Sequence, residues 1–107
     1  METNDLTVVI VTLKSDEVLF SCLDSIPRHI KVIVVENSNN KKFKEQLEEK
    51  YKNVNCIIVG ENRGYAVGNN IGLKKVNTKY ALILNPDTEL KKDTIFNFFK
   101  SVRLVPE

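Results

Sequence analysis

Several features are scarce in this chain of 107 residues, and each scarcity excludes a class of protein. No apolar run approaches the ~18 residues that a membrane-spanning helix needs. The first residues carry no basic side chain before the first apolar stretch, so we expect no secretory signal peptide. Basic and acidic residues nearly balance at a net charge of +2, which does not favour a nucleic-acid partner. With 42% hydrophobic residues, residues 1–107 instead fit one globular domain.

Cysteine and histidine are scarce as well. Cys22 and Cys56 are the two cysteines, and both stand in apolar stretches. A small disulfide-stabilised domain would have more of them, so we expect both to be reduced and buried. This usage favours a reducing, cytoplasmic compartment. The single histidine, His29, has no neighbouring cysteines or histidines in the sequence that would form a zinc site.

The spacing of the apolar residues changes repeatedly along the chain. Runs of β-branched residues predict four strands, at residues 6–13, 31–36, 55–59 and 80–84. Amphipathic segments predict four helices, at residues 16–26 with Ser15 as N-cap, 41–52, 65–76, and 94–102 with Asp93 as N-cap. Alternating strands and helices predict an α/β fold with a Rossmann-like parallel sheet and helices on both faces.

The four glycines are confined to one stretch, at Gly60, Gly64, Gly68 and Gly72, each four residues from the next. One interpretation is structural: a helix face that packs closely, preceded by a loop that needs positive φ angles. The other is functional: the backbone of this stretch approaches a ligand. The sequence leaves both open.

Polar or small residues follow each predicted strand. In a parallel sheet the carboxyl ends of the strands share one edge, where ligands bind. Glu36 ends the second strand, and its carboxylate could bind a ribose diol or a base, or could act as a turn cap. Asp87 follows the fourth strand; it could hold a divalent cation together with a diphosphate, or could belong to a proline turn. The motifs G-x-G-x-x-G, G-x-x-x-x-G-K-[ST] and G-x-S-x-G are absent, which disfavours a classical NAD site, a Walker-type NTPase and a serine hydrolase.

Three stretches of the chain are informative together: TVVIVTLKSDEVLFSCLDSI, KVIVVENSN, and NRGYAVGNNIG followed by YALILNPDTEL. Together they resemble the inverting glycosyltransferases of family 2. The third is similar to the family's N-x-G-[FY]-[AG]-x-[GA]-x-N-x-G segment and to the N-P-D version of its metal motif. The resemblance runs from Leu6 to about Val102 and is greatest to the rhamnosyltransferase-like branch. It implies the N-terminal, nucleotide-binding part of a GT-A fold.

The resemblance also implies a set of site residues. The residues implied to bind a nucleotide-sugar are Thr12, Leu13, Glu36, Asn62, Arg63, Gly64, Asn70 and Asn85. Thr12 and Leu13 would line the nucleobase pocket, and Glu36 stands where the family usually has Asp. Asn85 and Asp87 match the outer positions of the metal motif, so Asp87 would be the main charged ligand to Mg²⁺ or Mn²⁺.

The function that the resemblance implies is metal-dependent binding of a UDP- or dTDP-sugar, for inverting transfer to a glycan or lipid-linked acceptor in cell wall or polysaccharide biosynthesis. The general base, and with it every catalytic residue, is unknown. Because a family 2 catalytic domain continues beyond such a segment, we expect the isolated chain to have little transferase activity.

Three further expectations concern alternatives, location and assembly. A non-catalytic nucleotide-binding or assembly module stays open, whereas a nucleotidyltransferase is disfavoured because TLKSDE lacks a Gly-rich basic loop. Peripheral attachment at the inner face of the membrane also stays open. The fourth strand would leave an exposed edge, which predicts a tendency to form a homodimer.

Overall fold

The computed structural model describes residues 5–13, 16–87 and 90, apart from the side chain of Asp16. Its elements are β1 (Leu6–Thr12), α1 (Asp16–Asp24), β2 (Lys31–Glu36), α2 (Lys41–Lys50), β3 (Val54–Ile58), α3 (Tyr65–Leu73) and β4 (Tyr80–Leu84). All strand pairs are parallel, in the order β3-β2-β1-β4. The α/β fold with a parallel sheet is thus confirmed. The predicted Ser15 cap and the last helix lie outside the described residues.

The sheet has a helix layer on each face. β1 is buried along its whole length because it lies between β2 and β4. On one face, the apolar sides of α1 and α2 pack against alternate strand residues in the larger core cluster. On the other face, α3 packs against β1 and β2 through a smaller cluster around Val11, Ile33 and Val35. The prediction of helices on both faces is confirmed.

The observed bounds differ from the predicted ones at a few ends. β2 and β4 match, whereas β1 is one residue shorter and β3 begins and ends one residue earlier. α1 and α2 each end two residues earlier than predicted, at Asp24 and Lys50. α3 ends at Leu73 rather than at residue 76. Its last turn tightens, because Lys75 N donates to Gly72 O at 3.0 Å and Val76 N to Leu73 O at 3.1 Å. Such i→i+3 bonds are typical of helix ends.

The glycines of α3 set the distance between this helix and the sheet. A Cβ on Gly72 would lie 2.6 Å from Val9 Cγ1 and 3.0 Å from Val35 Cγ2, and one on Gly68 would lie 2.7 Å from Val11 Cγ1. All three distances are shorter than normal carbon–carbon contact. The structural interpretation of these two glycines is therefore confirmed.

Both cysteines are buried and form no disulfide. Burial raises the pKa of the Cys56 thiol to about 12, so this thiol stays protonated near neutral pH. The prediction that both act as small buried hydrophobic residues is confirmed.

A polar contact ties α2 to β3. Lys44 Nζ donates to Glu48 Oε2 at 2.7 Å and to Cys56 O at 2.5 Å, and Cys56 N donates to the same Glu48 oxygen at 2.8 Å. Burial alone would raise the pKa of Glu48. The hydrogen bonds that its carboxylate accepts from Lys44 Nζ and Cys56 N, together with the charge of Lys44, outweigh burial and lower the pKa from its ordinary value of 4.5. The carboxylate form of Glu48 therefore stabilises the fold.

Candidate functional site at the carboxyl edge of the sheet

The strand register brings the four strand ends to one edge. Thr12 at the end of β1 pairs with Glu36 at the end of β2, and Glu36 pairs with Ile58 at the end of β3. On the other side, Ile10 of β1 pairs with Leu84, the last residue of β4. The segments that follow all four strands therefore leave the sheet at this carboxyl edge.

Asn37 is the central polar contact of this edge. Its side chain is buried, with 3% exposed. Its Nδ2 donates to Gly64 O at 3.0 Å, and its Oδ1 accepts from Arg63 N at 3.1 Å. Its own backbone N donates to Thr12 O at 2.8 Å. Asn37 thereby fixes the loop that follows β3 against the ends of β1 and β2.

The loop at residues 60–64 has a defined backbone. Gly60 and Gly64 have φ angles of 97° and 87°, which favour glycine. Asn62 Oδ1 accepts from Gly64 N at 2.9 Å, so this predicted site residue shapes the loop by its side chain. The Arg63 guanidinium is largely exposed and lies 3.3 Å from a carboxylate oxygen of Glu61. An exposed ion pair of this kind is weak, so Arg63 could exchange it for an anionic ligand.

Glu36 and Thr12 are the paired last residues of β2 and β1. Glu36 is 2% exposed, and Ser38 Oγ donates a hydrogen bond to its carboxylate. Thr12 is equally buried, and its Oγ1 has no hydrogen-bond partner in the part of the chain that the structure describes. Leu13, which follows, is exposed. The contact with Ser38 agrees with a turn role for Glu36, and a ligand contact stays a prediction.

A cavity of about 390 Å³ lies where β1, α1, α3 and the end of β4 meet. Its lining residues are Val11, Val18, Tyr65, Asn85, Pro86 and Asp87. Tyr65 donates its hydroxyl to Asn85 Oδ1 at 2.9 Å and so links the start of α3 to the end of β4. The volume falls in the range of small-molecule sites.

The cavity brings together Asn85 and Asp87, the two residues of the predicted metal motif. Among the described residues, no other predicted site residue lines this cavity. Asn70 is exposed on α3. It stands two residues from both Gly68 and Gly72, and therefore on the side of the helix away from the sheet. Its contact with a ligand stays a prediction.

The residues at the end of β4 suit a divalent ion that is shared with a ligand. Asp87 is exposed and has no ion pair among residues 5–13 and 16–87. The described part of the chain contains no group of three or more His, Cys, Asp or Glu side chains placed to hold a metal. One carboxylate and one amide oxygen fit Mg²⁺ or Mn²⁺ whose other ligands are phosphate oxygens and water.

Comparison with known proteins decides the family. A family model described as Glycosyl transferase family 2 matches residues 7–103. The chain belongs to glycosyl transferase family 2. The resemblance of its motifs to this family is thus confirmed.

Two curated proteins are similar in sequence to this family 2 chain. It is 31% identical over 96 residues to the "Low-salt glycan biosynthesis hexosyltransferase Agl10" of Haloferax volcanii, covering 86% of this chain and 31% of the relative. It is 30% identical over 95 residues to the "Teichoic acid poly(glycerol phosphate) polymerase" of Staphylococcus epidermidis, covering 81% of this chain and 13% of the relative. The chain therefore spans less than a third of the length of either relative.

Solved structures share the fold of this family 2 chain. Residues 1–349 of S. aureus TarS superpose with a TM-score of 0.76 at 20% identity, over 95% of this chain and 38% of that one. The same TarS fragment in complex with UDP gives a TM-score of 0.74. The mannosyltransferase PcManGT of Pyrobaculum calidifontis, in complex with GDP-Man and Mn²⁺, gives 0.74 at 23% identity, over 90% of this chain and 31% of that one. The GT-A architecture is confirmed.

Within the described residues, no helix is both long and apolar enough to cross a membrane.

Proposed function

We propose that this chain is the donor-binding part of a glycosyltransferase, and that it binds a nucleotide-sugar at the carboxyl edge of its sheet. The observation that carries the proposal is the convergence there of four strand ends. Asn37 fixes the loop at residues 60–64 against the ends of β1 and β2. The residues that follow β4 line the 390 Å³ cavity. Ligands of open parallel sheets bind at this edge.

Each candidate residue has a role that fits its position. The buried Glu36 accepts hydrogen bonds from the ribose or base, beside the backbone of Thr12 and Leu13. Arg63 gives up its weak contact with Glu61 to pair with the diphosphate. The backbone of Gly64 lets the ligand approach closely because it carries no side chain.

Asp87 and Asn85 would hold the divalent ion. Asp87 supplies the negative charge, and the Tyr65 hydroxyl directs the Asn85 side chain across the cavity. A bound Mg²⁺ or Mn²⁺ would neutralise negative charge on the departing diphosphate. Similar proteins in complex with UDP, and with GDP-Man and Mn²⁺, support this assignment.

The reaction that we propose for the whole protein is transfer with inversion at the anomeric carbon. An acceptor hydroxyl forms the new bond to this carbon while the bond to the diphosphate oxygen breaks, and a general base takes the hydroxyl proton. No residue of this chain is assigned as that base, so the chain alone should have little transferase activity. The relatives support a glycan or a cell-wall polymer as acceptor.

We propose a cytoplasmic location and a weak homodimer on separate grounds. The two cysteines are buried and form no disulfide, which fits a reducing compartment.

The dimer proposal rests on the edge of β4. Within the described sheet β4 pairs with β1 alone, and its residues Ala81 and Ile83 are exposed. A strand edge with unpaired backbone groups and apolar side chains can pair with a second copy of the chain. Sedimentation velocity should show reversible dimerisation at high concentration, and a strict monomer there would contradict the dimer.

Nucleotide titration tests the donor site. UDP, dTDP and GDP are titrated by calorimetry with Mn²⁺ and with a chelator, and dTDP is included because of the rhamnosyltransferase-like motifs. We expect submillimolar binding that requires Mn²⁺ and is lost in Asp87→Ala. Glu45→Ala, which removes an exposed carboxylate from α2, should bind as the original chain does. Absent or metal-independent binding would contradict the proposal and favour the non-catalytic module.

A further inference from the structure

A second cavity, of about 260 Å³, opens at the opposite, amino edge of the sheet. It lies between the beginnings of β1, β2 and β3 and the segment that follows α3. Three lysines and three asparagines supply most of its polar lining: Lys31, Lys52, Lys75, Asn53, Asn55 and Asn77. Thr7 at this edge and Thr12 at the donor site are five residue steps apart on β1, a distance of about 17 Å along a strand.

The charged side chains that line this amino-edge cavity are all positive. No aspartate or glutamate is among its lining residues in the described part of the chain. Within residues 5–13 and 16–87, none of its three lysines pairs with a carboxylate, whereas Lys44 on α2 pairs with Glu48. Several unpaired like charges around one concavity raise the local concentration of anions.

Hydrogen bonds fix the walls of the cavity. Asn53 Nδ2 donates to Ile30 O at 2.8 Å, and Val32 N donates to Asn53 O at 2.9 Å, so the turn before β3 is held against the start of β2. On the other side, the hydroxyls of Thr7 and Thr78 share a hydrogen bond of 2.7 Å. This bond holds the segment after α3 against the start of β1. A preformed wall lowers the entropy that a ligand loses on binding.

We propose that the amino-edge cavity binds a phosphate group, carried by a small phosphate ester or by a lipid headgroup. Ammonium groups are common phosphate binders, and the exposed amides of Asn55 and Asn77 add donors beside them. No aromatic side chain is among the lining residues of the described chain, so the cavity offers no stacking surface for a nucleobase. This site is separate from the donor site.

The first experiment titrates the ¹⁵N-labelled chain with inorganic phosphate and follows the backbone amides. The amides of Asn53, Asn55 and Asn77 should shift together along one binding curve. Lys52→Gln/Lys75→Gln changes two turn residues outside the strands and should weaken binding by about tenfold or more, since each lysine makes a charge-assisted contact. Lys41→Gln/Lys42→Gln, which removes two exposed charges from the start of α2, should leave the curve unchanged.

The second experiment distinguishes the two sources of phosphate. The chain is sedimented with vesicles of phosphatidylglycerol and phosphatidylcholine in equal parts, and with vesicles of phosphatidylcholine alone. Binding to the anionic vesicles that is lost in Lys52→Gln/Lys75→Gln supports a lipid headgroup. Phosphate shifts without vesicle binding support a soluble ester. If neither is seen, or if both double variants weaken binding equally, the proposal is overturned.

Discussion

The contact between α3 and the sheet gives the sharpest stability prediction, for Gly72→Ala. The new methyl group would meet Val9 on β1 and Val35 on β2 at 2.6 and 3.0 Å. Normal carbon–carbon contact needs about 3.5–4.0 Å. Because the two valines lie on neighbouring strands, one rotamer change cannot relieve both contacts, and α3 must move away from the sheet.

The magnitude follows from two opposing effects. Overpacking of a core usually costs about 1–3 kcal/mol, and two buried β-branched neighbours place this site in the upper half of that range. Alanine gains about 1 kcal/mol over glycine in helix propensity. We therefore expect Gly72→Ala to lower the free energy of unfolding by roughly 1–2 kcal/mol and Tm by about 5 °C or more. The shift of α3 would also displace Tyr65 from Asn85 and weaken nucleotide binding.

Calorimetric unfolding measures the first effect. Val67→Ala, at a position 40% exposed on the same helix, is the control, and its free energy of unfolding should stay within about 0.5 kcal/mol of the original. An unchanged or raised Tm for Gly72→Ala would refute the reasoning, because the close approach of α3 would then not depend on the missing side chain.

Three further predictions concern single polar groups. Asn37→Ala removes two hydrogen bonds to the loop that carries Gly64, so denaturant unfolding should show a loss of about 1–3 kcal/mol and titration should show weaker UDP binding; an unchanged midpoint would contradict this. Tyr65→Phe frees the Asn85 side chain and should weaken UDP binding several-fold while leaving Tm nearly unchanged; equal affinity would argue against that contact. The lowered pKa of Glu48 means that its stabilisation is present above its unfolded value of 4.5 and is lost as pH falls below it. Between about pH 6 and about pH 3, the Tm of Glu48→Gln should therefore fall by less than the Tm of the original chain. Equal falls in Tm would contradict the assignment.

The sequence predicts much of this fold because its strands have unambiguous local signals. KVIVVE and YALIL are short β-branched or apolar runs with polar or turn residues on both sides, and the observed β2 and β4 match them. The end of α3 was predicted three residues too late. Its last turn closes by i→i+3 hydrogen bonds after Leu73, and an apolar pattern that continues to Val76 does not reveal that change.

The candidate site is predictable in outline and not in its internal contacts. Parallel strands alone imply that the segments after Thr12, Glu36 and Leu84 share an edge. The part played by Asn37 could not be seen, because its partners Arg63 and Gly64 are 26 and 27 residues away in the chain. The available signal was a polar residue directly after a buried strand, and burial of such a residue requires partners for its amide.

Binding of Mn²⁺ with UDP, followed by paramagnetic broadening of amide resonances, tests the central claim most directly. The metal broadens resonances steeply with distance, so the pattern locates the ion in the fold. We expect strong broadening at Asn85 and Asp87, weaker broadening at Arg63 and Gly64, and the weakest broadening at Asn53 on the amino edge. Broadening that requires no UDP, or that is strongest away from the end of β4, would contradict a donor site in which Asp87 holds the ion.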